Sequence, residues 1–315
     1  MHVKNPSLPS DPMIAIFMGT YNGSEFLEEQ LESIAAQTYK NWKLVVSDDG
    51  SSDGTLEILR RYETLWGSAK LEVRRGPSKG FAINFLSLAC DKSIDADLYA
   101  FCDQDDVWLP SKLNAAVELL KEHDMRIPHL YGGRTMCVDQ NLNIMYPSSL
   151  FIFPCGFRNA LVQNFAGGNT MVFNLAAKRL LESAGIQSVP VHDWWIYLLV
   201  SGAGGHVYYD QHHYILYRQH PNALIGFNSG FMSRLLSLIS VARGLFAQHN
   251  DLHVAALNQS RELLCPQSKR LLALFIRLRG GSSLQRIKKL EACGLYRQTW
   301  RGTICLYLAV FFNKL

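Results

Sequence analysis

Leu98-Tyr99-Ala100-Phe101-Cys102-Asp103-Gln104-Asp105-Asp106 decides the fold: five apolar residues run straight into a cluster of carboxylates. A short apolar run of this kind reads as a buried strand. Three further strand-like stretches precede it, an apolar one at residues 13–18 and others at 43–47 and 70–74. Helical patterns separate them. Phe26, Leu27, Leu31 and Ile34 share a face behind a Ser24 cap, Leu56, Leu59 and Tyr62 follow Ser52 or Asp53, and Phe81, Phe85 and Leu88 follow Gly80. Pro110 opens a fourth helix that aligns Leu113, Val117 and Leu120. Four strand–helix repeats predict an α/β domain with a mainly parallel central sheet. Such sheets bind ligands beyond the carboxyl ends of their strands. That directs attention to residues 19–22, 47–50 and 103–106, each just past a strand end.

The bulk composition sets limits. With 315 residues, 48% hydrophobic and 18% charged, the chain can bury a real core and carry an appendage. Its net charge of +4 hides an asymmetry: residues 231–315 hold 13 Lys/Arg and 3 Asp/Glu, and residues 1–230 hold 18 and 24. A basic tail on an acidic body points to an anionic surface, a membrane or nucleic acid. Seven cysteines, none at C-x-x-C spacing, argue against a disulfide framework or structural zinc and for a reducing cytosol. Residues 1–12 lack an apolar h-region, so no signal peptide is expected. The longest apolar run, residues 304–312, falls short of the ~20 residues of a spanning helix.

Asp103, Asp105 and Asp106 repel one another unless a cation shares them. A hard divalent ion, Mg²⁺ or Mn²⁺, held by one or two carboxylates and substrate phosphates, resolves the repulsion. It would also neutralise a diphosphate leaving group. The plainer reading makes Asp105 and Asp106 caps for the helix at Pro110; the buried strand before them weighs against it. Residues 47–55, Ser-Asp-Asp-Gly-Ser-Ser-Asp-Gly-Thr, are rich in turn and capping residues. A turn needs only one or two of these, and a carboxylate here can accept the imide N–H of uracil or thymine.

His192-Asp193-Trp194-Trp195 sets a carboxylate beside rings that desolvate it and raise its pKa. That suits Asp193 to deprotonate an attacking hydroxyl, with Trp194 or Trp195 stacked on a sugar. The alternative is that Asp193 caps a helix over residues 194–200 and both tryptophans are core. Gly167-Gly168-Asn169 offers either a close backbone approach to a sugar or a plain turn. Arg218 and His220 follow a strand-like run and can reach a diphosphate, with His220 as a further metal ligand.

Thr20-Tyr21-Asn22-Gly23, then the Asp48 to Thr55 stretch, then Asp103-Gln104-Asp105-Asp106-Val107-Trp108 resemble the family 2 inverting glycosyltransferases. These have the GT-A fold, a Rossmann-like nucleotide-diphospho-sugar transferase architecture. Ala166-Gly167-Gly168-Asn169-Thr170-Met171, His192-Asp193-Trp194-Trp195 and Tyr217-Arg218-Gln219-His220-Pro221-Asn222 are similar to the bacterial rhamnosyltransferase branch that builds surface polysaccharides. The resemblance covers residues 13–226 well and the tail loosely. It implies that Thr20, Tyr21, Asn22 and Glu25 line a nucleotide pocket, that Asp48 contacts the base and that Lys79 stands near the donor. Asp103 would contact ribose or metal, and Asp105 would ligate the metal. Gly168, Asn169, His192, Trp194 and Trp195 would fall to the donor sugar and acceptor.

The implied organisation is a short tail (1–12), a catalytic domain (13–230) with nucleotide (13–126) and acceptor (127–230) halves, and a C-terminal basic helical extension (231–315). The implied reaction moves one L-rhamnose from dTDP-L-rhamnose onto a lipid-linked oligosaccharide of O-antigen or other surface polysaccharide. UDP-glucose, UDP-galactose and UDP-N-acetylhexosamine are alternative donors, because Asp48 cannot separate thymidine from uridine. The Gln-x-x-Arg-Trp pattern of processive synthases is absent, which argues for single transfer.

In the tail, residues 233–245 and 269–279 mix Arg and Lys with Leu, Ile and Phe at helical spacing. Such helices lie on anionic membranes or cap a core with their charges solvated. The first alternative places the chain in the cytoplasm, peripheral on the inner face of the membrane. Interleaved charge and the lack of a nucleic-acid motif disfavour nucleic acid. Gly19-Thr20-Tyr21-Asn22 lacks the glycine-rich signature of a pyrophosphorylase, and no G-x-G-x-x-G follows the first strand as in a dehydrogenase. A silent sugar-nucleotide-binding module has no need of both Asp105 and Asp193.

Overall fold

The computed structural model describes residues 7–220 and 245–315. These four stretches form β1 (Ile14–Thr20), β2 (Trp42–Asp48), β3 (Leu71–Arg75) and β4 (Leu98–Cys102). Between them lie α1 (Leu27–Ala35), α2 (Thr55–Trp66) and α3 (Phe81–Ala89). β1 pairs in parallel with both β2 and β4, and β2 with β3. Alternate residues of β1 enter different clusters: Ile14, Ile16 and Met18 face one, Ala15 and Phe17 the other. Burial on both faces explains why β1 reads as a continuous apolar run rather than an alternation.

Beyond β4 the sheet changes character. The chain continues through β5 (Val107–Trp108), α4 (Lys112–Leu120), β6 (His129–Val138), β7 (Ile144–Pro147), α5 (Phe157–Ala160), β8 (Val172–Asn174), α6 (Leu175–Ala184), α7 (His192–Gly202) and β9 (His206–Arg218). The order is β3-β2-β1-β4-β8-β6-β9-β5, with β7 on β6. β8 is antiparallel to both β4 and β6, and β6 is parallel to β9. The sheet is mostly parallel by direction, since β1, β2, β3, β4, β6 and β9 point one way.

Three helix starts differ from expectation. α1 begins at Leu27 with Phe26, not Ser24, at its cap and so has no side-chain cap, and the Ser24 N–H goes to Asp53 Oδ2 at 3.1 Å. α2 has Gly54 at its cap, and Asp53 instead accepts the Thr55 N–H at 3.0 Å. Pro110 lies ahead of α4, with its carbonyl accepting the Thr38 N–H at 2.8 Å.

The C-terminal helices are α8 (Leu245–Gln259), α9 (Pro266–Leu278), α10 (Ser283–Cys293) and α11 (Trp300–Phe311). Leu257, Leu272, Phe275, Leu290 and Leu306 share one apolar cluster with Phe157, Trp194 and Trp195. The basic tail is therefore packed onto the domain. α9 turns Leu271, Leu272, Phe275 and Leu278 inward, so most of the apolar face expected to meet a membrane is already covered. The other expected segment, 233–245, lies outside the described residues except at the start of α8, as do Pro221 and Asn222.

Candidate active site

The ends of β1, β2 and β4 stand side by side, with Thr20 in register with Asp48 and Met18 with Cys102. Two loops leave this edge and are tied together by hydrogen bonds. Thr20 Oγ1 donates to Asp48 Oδ2 at 2.9 Å, and Asp48 Oδ1 accepts the Ser51 N–H at 2.9 Å. Asn22 N–H donates to Ser51 Oγ at 2.9 Å, while Asn22 Oδ1 accepts the Ser52 N–H at 2.8 Å. Gly23 N–H donates to Thr55 Oγ1 at 2.8 Å. Asp48 also accepts from Ser51 Oγ and Gly50 N–H, so its oxygens already hold their own loop. The sequence assigned Asp48 to the base; here it is a buried organiser of the turn. The Tyr21 ring, 60% exposed, and the Glu25 side chain remain open to solvent.

Two organisers were missed. Gln104 accepts the Tyr21 N–H at 2.9 Å and donates to the Tyr21 carbonyl at 3.1 Å, clasping the first loop to the acidic one. Gly23 was the available signal, since a Cβ there would collide with the Gln104 amide. Asp49 accepts the Ser78 and Gly80 N–H groups at 2.6 and 2.8 Å, fixing the loop that carries exposed Lys79.

The acidic residues divide. Asp106 is fully buried and accepts Asn169 Nδ2 at 2.5 Å and the Arg218 N–H at 3.2 Å, so it is structural. Asp105 Oδ2 lies 3.0 Å from His220 Nε2. Asp103 receives no side-chain hydrogen bond from the described residues. Burial, then the charges of Asp105 and Asp193, push its carboxyl up to about 8. Asp193 lies inside the first turn of α7, whose cap is Val191, so it is not the helix cap. Its Oδ2 accepts the Gly168 N–H at 2.9 Å and its Oδ1 the Trp194 N–H at 2.6 Å. Burial pushes Asp193 up to about 6, with these hydrogen bonds opposing it.

Other expected contacts are redirected. The Gly168 N–H is occupied by Asp193, and a Cβ on Gly168 would meet His192 Nε2 at 2.7 Å, which explains the glycine without a sugar. Asn169 is buried on Asp106. His192 stacks on Phe85 with centroids 4.0 Å apart, and burial lowers its pKa to about 3, so it stays neutral. Trp195 is fully buried, and Trp194 donates its indole N–H to the Ala160 carbonyl at 2.6 Å. Both are core, not sugar platforms. Arg218 is buried, pairs with Glu29, donates to the carbonyls of Asp105 (2.9 Å) and Gln140, and lies 4.4 Å from the Phe26 ring. It clamps the acidic loop and is not a free diphosphate ligand.

The expected metal set is only partly assembled. Among the described residues no three His, Cys, Asp or Glu side chains form a cage; within the expected set, His220 Nε2 reaches Asp105 Oδ2. The donor types, two carboxylates and an imidazole, are ones that divalent ions take.

Solved glycosyltransferases share this architecture. S. aureus TarS (residues 1–349, in complex with UDP-GlcNAc) superposes with a TM-score of 0.51 at 15% identity, covering 96% of this chain and 91% of that one. The mannosyltransferase PcManGT from Pyrobaculum calidifontis, in complex with GDP-Man and Mn²⁺, gives 0.51 at 17% identity over 99% and 88%. The sheet and its strand-end loops thus define the fold as GT-A. Residues 15–178 match the family model for Glycosyl transferase family 2, and the chain belongs to that family. The dTDP-rhamnosyl transferase RfbG of Shigella flexneri is 27% identical over 231 residues, 69% of this chain and 76% of that protein.

Proposed function

We propose that this chain transfers one L-rhamnose from dTDP-L-rhamnose to a lipid-linked glycan of surface polysaccharide synthesis, with inversion at the anomeric carbon. One observation carries the reading: the buried Asp193 carboxylate, fixed by the Gly168 and Trp194 N–H groups, is close enough to Asp103 just past β4 for their charges to interact. The dTDP-rhamnosyl relative supports the donor.

Asp193 acts as general base. Two backbone N–H groups fix its carboxylate and leave acceptor capacity for a sugar hydroxyl. The hydroxyl proton passes to Asp193, and the oxygen bonds to the anomeric carbon. The bond from that carbon to the diphosphate oxygen breaks, and dTDP leaves with the electron pair. Tyr21 offers an exposed ring for the base, Thr20, Asn22 and Glu25 frame the nucleotide, and Lys79 offers a cation to the diphosphate. Asp48 shapes this pocket and reaches the imide N–H by exchanging one of its loop bonds. Asp105, with Asp103 and His220, would hold Mg²⁺ or Mn²⁺, which when bound neutralises charge on the leaving diphosphate.

The test is a thermal-shift screen of dTDP-L-rhamnose, UDP-hexoses and GDP-mannose with each ion, followed by NMR of the product's anomeric configuration. The expected result is stabilisation by dTDP-L-rhamnose and an inverted product. Stabilisation by GDP-mannose alone, or a retained configuration, contradicts the reading; stabilisation by a UDP-sugar shifts the donor and leaves the mechanism standing.

A further inference from the structure

α11 is apolar on two opposite faces. Leu306, Ala309 and Val310 pack into the core. Trp300, Ile304 and Leu308 are 66%, 50% and 48% exposed, and Phe311 and Phe312 continue the same line. Their spacing of four, four and three to four residues is one helical stripe, about 18 Å long at the helical rise. A stripe of large apolar side chains on this scale marks an interaction surface. At its Trp300 end it opens into an apolar groove of about 540 Å³, lined by Phe153, Pro154, Tyr296, Arg297 and Ile304 among others. Exposed Ile152 and Leu150 lie just before Phe153 in the chain.

The charge around this face has one sign. From residue 294 to 315 the chain carries Arg297, Arg301 and Lys314 and no Asp or Glu. Arg301 and Lys314 are exposed. Arg297 is half-buried at the groove, and its Nε has no hydrogen-bond partner among the described residues. The Arg297 guanidinium lies over the Phe246 ring at 5.9 Å and that of Arg301 over the Trp300 ring at 5.1 Å. An apolar stripe with an exposed tryptophan, flanked by the exposed cations of Arg301 and Lys314, fits the surface of an anionic bilayer, where tails meet the stripe and phosphates meet the cations.

We infer that α11 and the segment before α5 form a membrane-docking face that lies in the interface of an anionic phospholipid bilayer. This deepens the proposed use of a lipid-linked acceptor and rests on it. The face is connected to the chemistry. The segment after Pro154 runs through Gly156, whose N–H donates to Tyr197 Oη on α7 at 2.9 Å, to Ala160, which accepts from Trp194 beside Asp193.

The test is co-sedimentation of the full chain with vesicles of phosphatidylcholine alone or mixed with phosphatidylglycerol. The expected result is salt-sensitive binding to the mixed vesicles only. Leu308→Glu sets a charge in the stripe and should weaken partition by about tenfold or more. Arg301→Gln should weaken it less, and only on anionic vesicles. Circular dichroism melting verifies that both variants fold. Donor turnover on a soluble acceptor should be unchanged in both, which separates failure of this inference from failure of the transferase reading. Equal binding to neutral vesicles, wild-type binding by Leu308→Glu, or a dimer that Leu308→Glu dissociates without any vesicle binding would overturn it.

Discussion

Two sets of aspartates meet at the carboxyl edge of the sheet, and they are treated in opposite ways. Asp48, Asp49 and Asp53 are met by backbone and hydroxyl donors from the loops they organise. At Asp53, burial pushes upward but hydrogen bonds from Thr55 and Ser24 prevail and bring the carboxyl to about 2. Asp103 and Asp193, a few strands away, are pushed to about 8 and about 6. The first set is held by donors from the loops it organises. In the second, Asp103 receives no side-chain hydrogen bond from the described residues, and at Asp193 burial outweighs the hydrogen bonds from Trp194 and Gly168. Residue type does not distinguish the sets; the balance of burial against donors does.

The sharpest way to break this contrast is to remove a carboxylate from the acidic loop that carries Asp103. Asp105→Ala should lose turnover by at least about 100-fold, the scale of removing a transition-state charge contact, with donor-free melting unchanged. Metal titration by isothermal calorimetry should show the loss of ion binding. Normal turnover would place the metal elsewhere.

Arg218→Ala tests the clamp. It strips a buried guanidinium from Glu29 and from the Asp105 and Gln140 carbonyls. Glu29 stays hydrated, so the cost falls on the carbonyls left without a donor, and denaturant unfolding should show a loss of about 1–3 kcal/mol. A stable variant with selectively weakened donor binding would instead make Arg218 a diphosphate ligand.

The pH response follows from Asp193. A base with a pKa of about 6 is charged above that value, so kcat/KM should fall about tenfold per unit below it. The stability term runs the other way. A folded pKa raised above the unfolded value means the native state binds the proton more tightly, so this carboxyl's contribution to stability rises as pH falls through about 6. Activity and melting temperature, measured across that range, should diverge. Asp53 gives the smallest effect. Asp53→Ala should reduce stability by about 1 kcal/mol, limited by solvent screening, with kcat nearly unchanged. The native contribution of Asp53 is present above its unfolded pKa and disappears as pH falls through about 2.

Much of this was legible in the sequence. The apolar runs became β1, β2 and β4 because strands buried on both faces are rich in apolar residues throughout, whereas β3, at the sheet edge, alternates Leu71 and Val73 with Glu72 and Arg74 and buries one face. The acidic edge followed from where parallel strands end. The second half of the sheet was less legible, since β8 and β9 owe their places to pairing with distant β4 and β6 rather than to local pattern. Motif residues could be found, but not what each one touches. Arg218, Trp194, Trp195, His192 and Asp48 lie within the motifs, yet each is turned inward by neighbours remote in sequence. Gln104 and Asp49 went unnoticed because a hydrogen-bonding side chain in a loop gives no periodic signal.

The central claim is that Asp193 takes the acceptor proton, and Asp193→Asn tests it most directly. The amide keeps the shape and removes the base. Single-turnover transfer should slow by about 100-fold or more, with donor Kd and melting temperature at or above those of the wild type and the limb below pH 6 gone. Transfer at the wild-type rate, or a retained acid limb, would contradict it.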